Sequence, residues 1–151
     1  MASVVTEHML LMVPMMIVVI LFPMVAGFVV NNYNNEQRVL MVEQSAAKMG
    51  SAIQQLYLVA CDEKVEPCNL TLTNPIPANI DGQQYVVTAT KEGDSLTLHF
   101  GLPGINVWYD HKLTLGKDAY WDPNSSLDSN SQSARIILEK KASGEIHMGF
   151  G

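Results

Sequence analysis

Between Glu7 and Glu36 the chain carries no Asp, Glu, Lys or Arg, and residues 9–30 (MLLMVPMMIVVILFPMVAGFVV) are apolar or small throughout. At about 1.5 Å of rise per residue this stretch makes a helix of roughly 33 Å, enough to cross a hydrocarbon core about 30 Å thick. So apolar a segment has to end in lipid or against other copies of itself. Everything else in the chain reads as what that helix carries.

Three uses of such a segment can be separated. A secretory signal needs a basic n-region, an apolar core of about 7–15 residues and a small-x-small cleavage site. The lead-in MASVVTEH holds a carboxylate and no Lys or Arg, the apolar run is too long, and no A-x-A follows it. A membrane anchor and an assembly helix therefore rank ahead of a signal peptide. Pro14 and Pro23 interrupt the segment, each removing an amide donor and crowding the preceding turn. In lipid or in a packed bundle such prolines are tolerated and kink the helix. Gly27 permits close approach of a neighbour, and the five methionines from Met9 to Met24 make an adaptable packing surface or simple lipid-facing bulk.

Residues 31–35 (NNYNN) are the first polar punctuation, with Tyr33 placed as an interfacial aromatic. A second periodicity then begins. Val39, Val42, Ala46, Met49, Ile53, Leu56 and Ala60 follow a 3-4-3-4 spacing, while Glu36, Glu43, Lys48, Ser51 and Gln54 fall off that stripe. This predicts an amphipathic helix continuous with the apolar one, its stripe able to pack on its own domain or on other helices.

After Gly82 the period changes to two. Tyr85, Val87 and Ala89 alternate; KEGDS supplies a turn; Leu96, Leu98 and Phe100 alternate against Thr97 and His99. Ile105, Val107 and Tyr109 make a third strand, Leu113 and Leu115 a short fourth. Residues 135–141 and 145–150 close a hairpin with Ile146, Met148 and Phe150 on one face. The expectation is an α+β chain: a long N-terminal α-helix over 1–60 (apolar at 9–30, amphipathic at 36–60), a loop with a cysteine pair at 61–82, and a small antiparallel β-sheet or β-sandwich headpiece at 83–151.

The chemistry-bearing residues are few. Net charge is −6, and all nine Lys and Arg lie beyond the apolar stretch, singly or in one pair, which provides neither the basic face that nucleic acid requires nor a polybasic patch for anionic lipid. No nucleophile motif, phosphate loop or zinc-binding spacing occurs, so no enzyme, cofactor or metal is expected. His99 and His147 alternate with apolar strand residues and read as outward-facing positions. The run Asp122, Asn124, Ser126, Asp128, Asn130 resembles the oxygen spacing of a calcium loop, but Leu127 stands where the tight-turn glycine belongs and Ser133 where the bidentate glutamate belongs. A flexible loop is the better reading. Glu7 is an ionisable group at the edge of a membrane helix; drawn into an apolar interior it would seek a cationic partner, and at headgroup level it would cost little.

Arg38, just after the apolar segment, weakly places the C-terminal part inside the cell. Two features place it outside. Cys61 and Cys68 can close a short disulfide loop in an oxidising compartment, and Asn69-Leu-Thr and Asn124-Ser-Ser are glycosylation sequons. Jointly these outweigh one arginine.

A very long N-terminal helix, apolar then amphipathic, followed by a small β headpiece resembles the type IV pilin superfamily. The likeness is carried by Glu7 ahead of the apolar run, Pro23 within it, the heptad stripe from Val39 and the β-rich remainder. Sequons and an all-β headpiece are most similar to archaeal type IV pilins (adhesion pilins and archaellins), and the spacing of Glu7 and Pro14 also resembles Tad-type pilin-like proteins. The resemblance implies a subunit held in the membrane before assembly, cut by a prepilin peptidase and moved by an assembly ATPase and membrane platform into a filament of bundled helices, a structural protein serving adhesion or surface attachment. It assigns assembly roles to Glu7, Pro14, Pro23 and Gly27, with Glu7 neutralising a neighbour's terminal amine. A rival reading of a different class is a membrane-tethered extracellular binding module that does not polymerise.

Overall fold

The computed structural model describes the backbone of residues 2–131 and 134–151, and within the helix the side chains of residue 12 and of residue 14 onward. The described residues form one helix followed by eight strands. Helix α1 spans Ala2–Cys61, and both Pro14 and Pro23 lie inside it without ending it. The strands are β1 (Asn69–Thr73), β2 (Val86–Glu92), β3 (Ser95–Leu102), β4 (Val107–Thr114), β5 (Ala119–Trp121), β6 (Ser126–Asp128), β7 (Arg135–Lys140) and β8 (Ile146–Phe150). By compactness the molecule divides into two units, Met1–Gln37 and Arg38–Gly151.

The amphipathic half of α1 forms because straight-chain and small residues dominate it and its apolar positions recur on one face. Val42, Ala46, Met49, Ile53 and Ala60 are buried, and Leu56 packs half-buried beside them. Val39, the first member of the stripe, is 40% exposed, because cover by the headpiece begins one turn later, at Val42. The face is laid on β4. A Cβ placed on Gly50 would lie 2.8 Å from the His111 ring and 3.5 Å from Leu113, so glycine lets helix and strand approach closely there.

Two four-stranded sheets follow, in the orders β1-β7-β8-β5 and β4-β3-β2-β6. Alternation places Val87 and Ala89, then Leu96, Leu98 and Phe100, in the core, and likewise Ile136 and Leu138 opposite Met148 and Phe150. These side chains and the helix stripe form one continuous apolar cluster. Tyr85 stacks on Phe100 at 5.2 Å, and Trp121 meets Phe150 edge-on at 5.0 Å. The turn foreseen at KEGDS is a tight hairpin between β2 and β3, with Gly93 at φ 59°, a conformation that glycine adopts without steric cost.

The strand map departs from the sequence expectation in four ways. Asn69–Thr73, placed in the loop, is an edge strand paired with β7. The third and fourth strands are one, β4, paired along its whole length with β3. Ser126–Asp128 pairs with β2, so the calcium-like run is partly a strand with Leu127 buried, while Ser133 lies outside the described residues. Ala119–Trp121 pairs with β8 in parallel, the exception in otherwise antiparallel sheets. Short strands of three to five residues carry too few alternations to stand out from loop.

Candidate functional site

The most unusual surface is the first part of α1. From residue 14 to 30 every described side chain is exposed, including Met15 and Met24 at 74% and Phe22 at 72%. The helix from Pro14 onward is long and apolar enough to cross a membrane. A helix apolar all round, with its described side chains exposed, needs an apolar environment from outside. Pro14, Pro23 and Gly27 all lie on this exposed segment, and a Cβ on Gly27 would meet nothing within 4 Å. The side chain of Glu7 lies outside the described residues.

The cysteines do not form the expected disulfide; both thiols are unpaired. Cys61 ends α1, and its thiol, with burial, raises the Tyr57 hydroxyl one turn back above its ordinary value. Cys68 leads into β1, and its carbonyl accepts the Lys140 amide, extending the β1–β7 ladder. Lys140 Nζ donates to the Asp62 carbonyl just past the helix end. The sequon residues are both accessible: Asn69 opens edge strand β1, and Asn124 sits in an exposed turn whose amide is held by Asp122 Oδ1 at 3.0 Å.

His99 and His147 alternate with buried strand residues and face outward from the sheets, whereas His111 turns toward the helix at Gly50. His99 Nδ1 lies 2.8 Å from Asp110 Oδ1 and its Nε2 lies 2.9 Å from Thr90 Oγ1, a polar relay across β2, β3 and β4. His147 stands beside Tyr120, its register partner on β5, with ring centroids 4.9 Å apart. This pair forms a ridge between two hollows, of about 650 Å³ and 380 Å³, and lines both. Sequence reasoning placed His147 correctly on the outer face but missed Tyr120, since strand β5 is too short to show a period. Among the described residues no group of His, Cys, Asp and Glu is arranged to hold a metal ion.

Comparison with known proteins returns no matching family model, no matching curated protein and no matching solved structure. The reading of function therefore rests on the molecule itself.

Proposed function

We propose that this chain is a structural subunit of an extracellular filament of the type IV pilus kind, with helices bundled in the core and β headpieces outside, used for adhesion or surface attachment. One observation carries the reading: a helix exposed and apolar on every side continues, without a break, into a segment whose stripe is buried in the β headpiece. Moving such a helix from lipid into a bundle of like helices exchanges one apolar surrounding for another, so the transfer itself costs little. Close packing and dispersion then hold the fibre. Copies would contact one another head to tail rather than in closed symmetry.

The deciding experiment is negative-stain electron microscopy of material sheared from the surface of the source cells, with mass spectrometry of what is sheared. Thin fibres with this chain as main component are expected. Its recovery solely from the detergent-soluble membrane fraction would refute the proposal in favour of a tethered binding module. Within the filament reading, Glu7→Ala and Glu7→Lys should stop assembly while leaving membrane insertion intact; normal fibres from Glu7→Ala would remove the role given to Glu7.

A further inference from the structure

The larger hollow in the headpiece has the make-up of a ligand site, and it lies entirely within the unit Arg38–Gly151. Its volume of about 650 Å³ falls in the range of small-molecule clefts. It opens at the free edge of β5, facing the β2–β3 hairpin, from which Lys91 and Gly93 contribute to the wall. Three aspects of the lining narrow what it can hold.

The first is aromatic. Tyr120 is 54% exposed, an unusual position for a large ring on a three-residue strand whose neighbours Ala119 and Trp121 are buried. His147 braces it from the adjacent strand at 4.9 Å. A braced, exposed aromatic ring offers a flat apolar surface whose electron-rich face attracts weakly polarised C–H bonds. The second is polar. Lys117 and Asp118 precede the β5 edge, and Lys91 and Glu145 stand in the same wall, giving two ammonium donors and two carboxylate acceptors. Trp121 also contributes to the wall, while its ring packs on the core side against Phe150.

The third is charge. The smaller hollow on the far side of the Tyr120–His147 ridge adds Asp122 and Glu139. Across the two hollows four carboxylates stand against two lysines, in a chain of net charge −6. An anionic ligand is disfavoured by that field. A neutral molecule with an apolar C–H face and a rim of hydroxyls, each able both to donate and to accept, matches all three.

We infer that the hollow beside Tyr120 is a saccharide-binding site that takes a neutral hexopyranose ring, stacked on Tyr120 with its hydroxyls shared among Lys91, Lys117, Asp118 and Glu145. The inference stands apart from the filament reading, since a tethered monomer would carry the same site. The smaller hollow beyond the ridge leaves room for a neighbouring ring of a longer saccharide.

The test is saturation-transfer-difference NMR on the full chain in lauryldimethylamine oxide micelles, a detergent without a sugar headgroup. The probes are glucose, galactose, mannose, N-acetylglucosamine and glucuronate. Transfer to at least one neutral hexose is expected, with a dissociation constant in the millimolar range and weaker transfer to glucuronate. Tyr120→Ala should weaken that binding at least tenfold, and Lys117→Ala severalfold. Both residues are exposed, so neither change should disturb folding, which the unchanged thermal midpoint would confirm. Absence of transfer to every neutral sugar overturns the inference. So does transfer that survives both substitutions undiminished, or a preference for glucuronate.

Discussion

One helix carries two kinds of apolar surface, and Ile53 and Ile17 separate them. Ile53 is 0% exposed in the core shared with the sheets, whereas Ile17 is 50% exposed and lies outside that core. Replacing Ile53 by Ala removes three carbons. At about 0.8 kcal/mol each, the lost transfer free energy is roughly 2.4 kcal/mol. The cavity left behind adds to this, and isoleucine-to-alanine changes in packed cores cost about 2–5 kcal/mol in total. Alanine's better helix propensity returns at most about 0.7 kcal/mol. A net loss of about 3 kcal/mol follows, which at roughly 4 °C per kcal/mol for a domain of this size lowers the melting midpoint by about 12 °C. The same change at Ile17, an exposed position outside that core, should change stability by no more than about 0.5 kcal/mol. Near-ultraviolet circular dichroism of the full chain in detergent micelles reports the tertiary melt through buried Trp121. A fall of less than about 4 °C for Ile53→Ala, or equal falls for both variants, would refute the assignment of the stripe to the headpiece core.

Tyr85 gives a pH dependence. Its burial pushes the phenol above its ordinary 10.0, against an opposing hydrogen bond from Asn74 Nδ2 at 2.6 Å. Folding thus favours the neutral phenol, so this contribution is fully present below pH 10 and is lost as pH rises through the higher folded value. Urea midpoints should fall above about pH 10, and Tyr85→Phe should flatten that fall while costing roughly 1 kcal/mol at neutral pH through the unpaired Asn74 amide. Tyr109, raised first by burial and then by Glu43, should retain part of the slope in the variant. The unpaired thiols make a further prediction: Ellman's reagent should titrate two thiols per chain without prior reduction, Cys61 faster than the half-buried Cys68. A count of zero would establish the disulfide instead.

Long periodic segments were legible and short ones were not, for a physical reason. A stripe repeated from Val42 to Ala60 averages over many turns, so a single exposed member such as Val39 does not hide it. The same holds for β3 and for the Ile146–Phe150 alternation of β8, each with three or more buried members. Strands β5 and β6 have three residues each, and β1 is an edge strand whose inward Leu70 and Leu72 are half-buried. What defines them is pairing with β8, β2 and β7, contacts between residues far apart in sequence that a local pattern does not encode. The saccharide site shares that origin, since Lys91, Tyr120 and His147 meet only through the sheets. The cysteines misled for a related reason: spacing permits a bridge, but Cys61 closes the helix while the Cys68 backbone belongs to the β1–β7 ladder, and both thiols are unpaired.

Gly27 distinguishes an anchor from a bundled helix. Within the chain a side chain there would meet open space, so Gly27→Leu should not disturb folding; it also raises helix propensity by up to about 1 kcal/mol and makes the segment more apolar, favouring insertion. A helix that merely spans lipid is therefore unaffected or improved. In a bundle the outcome reverses, because small residues allow helix backbones to approach and a leucine holds them apart, forfeiting the dispersion contacts that replace lipid. Under the filament reading Gly27→Leu should leave the membrane-inserted pool at or above the parent amount while fibre yield in the sheared fraction falls severalfold. Comparison of the two fractions by immunoblot measures both at once. Undiminished fibres would show that no helix packs closely at Gly27, and equal loss from both fractions would place the defect in the subunit rather than in assembly.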